Sequence, residues 1–529
     1  MKRFIYFLFS LIILVTWSSC RKDFSFTPSA GNLEFSKDTV YLDTVFTNIG
    51  SSTYNLKVYN RSNEDIVIPT LRLARGQNSM YRLNVDGLTG SGVTTGKEFE
   101  NVELLAKDSM YIFVESTIDI QTIVSNQTQF LYTDAIEFDS GGNLQEVELV
   151  TLVKDAVFIY PQRFVDNQTG ETIVETLTFD VDGDGNDDET TIQGRFLEDN
   201  ELIFTNGKPY VIYGYAAVND SKTLTIEAGA RVHFHANSGL LVTHGGSLKV
   251  NGQPSLDQEL LEGEVIFEGD RLEPLYENIP GQWQTIWLFE GSVDNEINHA
   301  TIKNSTVGIL SDGNQNNPDK LNITNTQIYN SSNFGILGRG TSIHTENLVI
   351  NRSGQSSFAG TYGGSYNFVH STLANYWSNS FRQFPSVYLN NYIVDIDNNV
   401  FTNPLDQANF TNCIIYGNDN PEFIVDKEDS EVFNFKFSNC LIRFSDTNNN
   451  FTGPLYDFND STLYENIIFN EDPEFLDPLL NLLLIPNNSP ADGTASVFGS
   501  LSTDIIGTNR GTPPDLGAYE SILFPEEEE

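Results

Sequence analysis

Cysteine is almost missing from this chain: three residues in 529 leave no disulfide framework to hold a fold together. Positive charge is scarce as well. Twenty-nine Lys and Arg stand against 72 Asp and Glu, a formal charge of −43, and a surface of that sign repels a phosphate backbone, which excludes nucleic acid as a partner. Helical periodicity is not seen, and beyond the first twenty residues no run is apolar enough to span a membrane. Apolar mass, by contrast, is plentiful. Thirty-seven Phe, 22 Tyr and 39% hydrophobic residues are too much for an acidic disordered chain and enough for a large core. Composition thus describes a folded, acidic protein and no particular chemistry.

Met1-Lys2-Arg3 is a basic start, and FIYFLFSLIILV (4–15) is an apolar run of about twelve residues, short of a membrane span. Residues 1–19 read as a secretory signal peptide. The segment TWSSC (16–20) resembles a bacterial lipobox, with Trp17 where Leu is usual. That resemblance implies cleavage before Cys20, lipid on Cys20, and membrane attachment through the lipid anchor alone, with 20–30 as a lipidated linker.

The mature chain reads as all-β. From 31 to 157, short runs rich in β-branched and aromatic residues, such as DTVYLDTVF (38–46) and MYIFV (110–114), alternate with turn clusters. This pattern predicts an immunoglobulin-like β-sandwich. Residues 158–206 read as a connector carrying an acidic loop. From 207 to 521 a repeat emerges: ATIKN (300–304), TQIYN (326–330), NLVIN (347–351), STLAN (371–375), NCIIY (412–416) and NCLIR (439–443). With Ile302, Ile328, Val349 and Leu373 taken as equivalent, the spacings are 26, 21 and 24 residues. Such a loose period, with Asn/Gly/Ser corners, predicts a solenoid whose coils bury one another's apolar side chains. The expected architecture is a right-handed parallel β-helix with a C-terminal cap, followed by an acidic tail (522–529).

The runs KPYVIYGYAAV (208–218), LTIEAGARVHFHANSGLLV (224–242), GDRLEPLYENIPGQWQTIWLFEGSVDNEINHATIKNSTVGI (269–309), DPEFLDP (472–478) and PDLGAYES (514–521) resemble β-helix repeat lipoproteins of Bacteroidota. The resemblance implies that fold and a cell-envelope location, as an outer-membrane lipoprotein facing the periplasm or the cell surface. It implies no catalytic residues, because the family has no established activity.

The sharpest local motif is DVDGDGNDD (180–188). Asp180, Asp182 and Asp184 stand at positions 1, 3 and 5 of a calcium loop, with Gly185 for the turn and Asn186 and Asp188 at positions 7 and 9. Thr191 replaces the usual bidentate Glu, so a structural Ca2+ in a bare loop is expected, against a solvated Asp-Gly hairpin turn. His233, His235 and His244 lie close enough in sequence for a zinc site or a polar ladder. A sugar-cleaving site would need paired carboxylates, for which Asp395 with Asp397, or Asp312, are candidates. Lys303, Arg339 and Arg382 are candidate lyase cations. Tyr276, Trp283, Trp287 and Trp377 are candidate glycan-stacking aromatics, with Trp283 and Trp287 expected on one strand face. Cys413 and Cys440 occupy equivalent repeat positions and are expected as stacked buried thiols. The leading functional reading is a non-catalytic binding or structural surface for glycans or other envelope components. A polysaccharide lyase or glycosidase, or an adhesin-like rod binding protein, are the alternatives.

Overall fold

A computed structural model describes residues 25–90, 95–123, 127–139, 141–167 and 169–524. The leader, Cys20 and the last five residues of the acidic tail lie outside these. The described residues form strands and short 3-10 turns, and no helix among them is long and apolar enough to cross a membrane. The chain divides into two compact units, 1–155 and 156–529.

In the first unit, alternation sets the layers. Strand Gln145–Lys154 buries Val147, Leu149 and Val153 while Glu146 and Glu148 face water. It pairs antiparallel with Gln129–Phe138 and parallel with Thr39–Phe46, within a six-stranded sheet. A four-stranded sheet runs in the order Glu34–Phe35, Tyr54–Tyr59, Ser109–Ser116, Tyr81–Val85. Val40, Ile136 and Leu149 from the first sheet and Leu56 and Ile112 from the second share one core, and each such side chain contributes about 1.5–3 kcal/mol by leaving water. The Tyr81 hydroxyl, buried in this core, donates to the Tyr132 carbonyl or to Thr151 Oγ1, both at 3.0 Å.

The second unit is mainly a 27-stranded sheet in which most strands pair in parallel with the strand about three places on, with two small antiparallel hairpins apart from it, Arg163–Val165 with Thr172–Val174 and Tyr392–Val394 with Val400–Thr402. Three internal columns result. The first runs Tyr210, Val232, Phe267, Ile302, Ile328, Ile350, Leu373, Ile415, Ile442, Phe469. The second runs from Ala216 through Leu240, Ile286, Ile309, Ile336, Phe358 and Val387 to Phe423. The third includes Ile226, Val250, Ile297, Ile323, Phe368, Phe410 and Phe437. Its rings stack, with centroids 4.9 Å apart for Phe368–Phe410 and 4.8 Å for Phe410–Phe437. All three columns meet in one hydrophobic core. The chain visits them in the same order on successive passes, and at roughly 4.8 Å per strand the ten-residue column spans about 43 Å.

Two sequence expectations are corrected here. Ile350, not Val349, stands in the column with Ile302, Ile328 and Leu373. Val349 faces the other way, where it is also buried. The stretch expected as a connector, 158–206, is built into the large sheet: Gly194–Phe196 pairs with Tyr215–Ala217, and Ile203–Phe204 pairs with Thr225–Ile226.

Between passes the chain turns through left-handed backbone. Asn325, Asn347, His370, Asn412, Asn439 and Asn466 follow one another at the same corner with φ between 46° and 57°, a region Asn tolerates better than most residues. Their side chains bond along the stack: Asn347 Nδ2 donates to Asn325 Oδ1 at 3.0 Å, and Asn466 Nδ2 to Asn439 Oδ1 at 3.2 Å. Residues 480–524 form no further pass. They cover the outer side of the first-column strands, where Tyr329, Val349, Ile414 and Leu441 join Leu483, Ile505, Leu516 and Tyr519 in a second core.

Candidate functional site

The second-column strands end at a cleft. Asp312 closes Val307–Asp312, and its register partner is Arg339 on the next pass. Arg339 donates to Asp312 Oδ1 from Nε at 2.5 Å and to Oδ2 from Nη2 at 2.7 Å; Trp287 Nε1 also donates to Oδ2 at 2.7 Å. The forked geometry suits a guanidinium–carboxylate pair, and this hydrogen bonding holds Arg339 above its ordinary pKa against the opposing effect of burial. Trp287 faces outward, edge-on to Phe289 with centroids 5.5 Å apart, and Phe289 meets Phe179 at 5.2 Å. Trp287, Phe289, Asp312 and Arg339, with Glu290, the amide-rich loop Asn314–Asn317, Tyr362 and Asn403, line an open cleft of about 910 Å³. Gly313 has φ +65°, and a Cβ there would lie 2.7 Å from Glu290 Cγ, so glycine is what allows Glu290 to lean against this loop.

Lys320 lies beneath the cleft with no exposed surface. Its ammonium donates to the Phe289 carbonyl at 2.6 Å, the Leu288 carbonyl at 3.3 Å and Ser292 Oγ at 2.8 Å, tying down the turn that carries Phe289 and Glu290. Burial pushes its pKa down to about 7, with Asp312 and Glu290 opposing. A second hollow, a polar trough of about 740 Å³, shares Gln315 and Asn316 with the cleft and continues past Asn322, His344 and Asn367.

Of the residues singled out from sequence, the structure gathers Trp287, Asp312 and Arg339 in the cleft. The others fall elsewhere. Trp283 does not share a face with Trp287: it is buried, stacked on Phe234 at 4.3 Å, with Nε1 donating to the Lys303 carbonyl at 2.9 Å. The regular strand begins only at Ile286, so alternation does not carry across the four residues. Trp377 is also buried, its Nε1 on Ser380 Oγ at 3.0 Å. Tyr276 sits under the Arg271 guanidinium at 4.1 Å, outside the cleft. Asp395 caps a hairpin turn, accepting from the amides of Asp397 and Asn399 at 2.9 and 2.8 Å, so Asp395 and Asp397 form no catalytic pair. Lys303 pairs with Glu268 at 2.9 Å. Arg382 is buried in a forked pair with Glu422, at 2.6 and 2.8 Å. The three histidines do not converge: His233 Nδ1 meets the Gly269 carbonyl and His235 Nδ1 meets Asp270, while His244 lies against Gly291.

Within the acidic loop, the carboxylates of Asp180, Asp182 and Asp188 approach within 4.8 Å of one another, the one such metal-capable group among the described residues. Asp184 is not with them; its Oδ1 accepts from the Asn186 amide at 2.8 Å instead. Cys413 and Cys440 are free and buried on successive passes, each thiol on a backbone carbonyl, and burial raises the Cys413 pKa.

Glu290, Tyr362, Asn403 and Lys320 were not foreseen. The run DGNQNN (312–317) carried a usable signal, since its length and amide content exceed what a corner between two strands needs. Lys320 carries none.

No protein-family model matches the chain, and no curated protein does. Among solved structures, the catalytic unit of a thermostable GH87 α-1,3-glucanase from Streptomyces thermodiastaticus strain HF3-3 aligns at TM-score 0.24 and 11% identity, over 73% of this chain and 79% of that one. The ASH / PapD-like domain of human CEP192 aligns at TM-score 0.15 and 13% identity, over 26% of this chain and 94% of that one. A family 123 glycoside hydrolase from Clostridium perfringens aligns at TM-score 0.15 and 9% identity, over 23% and 26%. Likenesses this weak carry no argument about activity.

Proposed function

We propose that the chain is a lipid-anchored cell-envelope protein whose second unit winds as a right-handed parallel β-helix, preceded by an immunoglobulin-like sandwich, and presents the Trp287 cleft as a non-catalytic glycan-binding site. The fixed order of the three columns supports the winding, and parallel crossovers are right-handed in about 98% of cases. The lipid anchor rests on the leader and Cys20, and a structural calcium ion on the grouping of Asp180, Asp182 and Asp188.

One observation carries the functional reading. Both oxygens of Asp312 are occupied by three donors, so this carboxylate is committed to holding Arg339 and Trp287 rather than to moving a proton. What remains for a ligand is an aromatic face and a ring of side-chain amides, the chemistry that suits a neutral sugar, together with the carboxylate of Glu290. Calorimetric titration with neutral oligosaccharides tests this: Trp287→Ala is expected to lose at least about tenfold in affinity, equivalent to 1.4 kcal/mol, and no reducing ends are expected to accumulate. Turnover that Glu290→Gln abolishes would replace this reading with the hydrolase alternative, in which Glu290 and Asp312 form the carboxylate pair.

A further inference from the structure

The trough beside the cleft is lined largely by amide, hydroxyl and imidazole side chains. Register aligns Lys249, Glu296, Asn322, His344, Asn367, Asn409 and Lys436 in a single outward column. The ends are charged and paired: Lys249 bonds Glu296 at 2.9 Å and Lys436 bonds Glu465 at 2.6 Å. The middle four positions carry three amides and an imidazole and no carboxylate, on a protein with 72 acidic residues. They span three inter-strand steps, about 14 Å. These side chains are partly buried; His344 Nδ1 meets Asn367 Nδ2 at 2.9 Å and its Nε2 meets Glu346 at 3.2 Å beside the column. The Asn corner ladder already supplies bonds along the stack, so folding does not require a second polar ladder here.

The trough is continuous with the cleft. Gln315 and Asn316 line both, and the Gln315 side chain reaches the start of a strand three passes on, donating to Asp406 at 3.1 Å and accepting from Asn403. Aromatic surface lies on the cleft side only. Asp319 and Asp406 flank the trough and disfavour polyanions.

We infer that cleft and trough form one groove for a linear, uncharged glycan of several sugars, with one ring on Trp287 and the chain hydrogen-bonded through Asn322, His344 and Asn367. This rests on the reading of the cleft given above and adds the length and charge of the ligand.

The test is calorimetry with linear gluco-, manno- and xylo-oligosaccharides of one to six units, on the full chain and three variants: Trp287→Ala, Asn322→Ala/Asn367→Ala, and His344→Asn. Wild-type affinity is expected to rise with length by about tenfold beyond the disaccharide, the worth of two or three net hydrogen bonds. The double variant is expected to bring long ligands back to disaccharide affinity while leaving the disaccharide unchanged, with His344→Asn intermediate. Affinity independent of length, or a double variant that binds long chains as wild type does, overturns the groove and leaves the cleft intact. No binding to any member, or binding untouched by Trp287→Ala, overturns the cleft reading and the groove with it.

Discussion

Asp180, Asp182 and Asp188 bring three carboxylates together in a loop that offers mainly backbone amides as partners: Asp180 accepts from Gly183 and Gly185 at 2.7 and 2.9 Å, and Asp188 from Val181 at 3.1 Å. Those bonds shape the loop; a cation, where one binds, would offset the mutual repulsion of the acids. If calcium binds there, a hundredfold excess over Kd stabilises the folded chain by about 2.7 kcal/mol. Thermal melting with and without chelator is expected to show that loss, and Asp182→Ala to abolish the difference. An unchanged melting temperature on chelation rules the ion out. Arg382 and Glu422 illustrate the opposite use of charge. They are buried, forked and hydrogen-bonded, so their role is internal support; a solution-facing cation would not be sealed in this way.

At the scale of elements, the C-terminal segment is held to the sheet through His370. Its Nδ1 faces the Gly517 carbonyl at 3.3 Å, and its Nε2 meets Ser500 Oγ at 2.8 Å and Asn412 Nδ2 at 3.0 Å. Asn412 can only donate through that nitrogen, so Nε2 must be an acceptor and the ring neutral. Burial, helped by Arg510, pushes the His370 pKa down to about 3 from 6.5. The unfolded state therefore binds the extra proton between those values, and stability falls as pH drops through that window. At about pH 4.5 the cost, relative to pH well above 6.5, reaches about 2.7 kcal/mol at 1.36 kcal/mol per unit. Asp504 and Asp515, whose pKa values burial raises, act in the opposite sense. Hydrogen exchange at the amides of Gly517 and Ala518 is expected to accelerate at about pH 4.5 relative to their intrinsic rates, and His370→Asn to remove that acceleration. Equal pH dependence in both proteins would show that His370 is not the trigger.

For the whole molecule, the open question is where it is held. Diacylation at one cysteine anchors a protein firmly where a single chain does not. The full-length protein is expected to partition into detergent and Cys20→Ser into the aqueous phase after Triton X-114 separation; aqueous wild type would remove the anchor. The net charge of −43 also bears on ligand choice, since it disfavours acidic polymers.

How much of this was legible in the residues follows from periodicity. All-β character, the repeat and its Asn corners could be read directly, because period-2 alternation and left-handed turns impose local residue choices. Which of Val349 and Ile350 faces inward could not, because that strand is buried on both sides: one face lies in the main core and the other under the C-terminal segment, so hydrophobicity does not alternate. The same holds for Ile414 and Ile415. Trp287, Asp312 and Arg339 were each noticed singly, yet 52 residues separate the first from the last, and only the parallel register of successive passes brings them within hydrogen-bond reach. Local chemistry determines what each pass is made of. Stacking determines what the passes share, because a ladder joins residues about two dozen positions apart that no local preference connects.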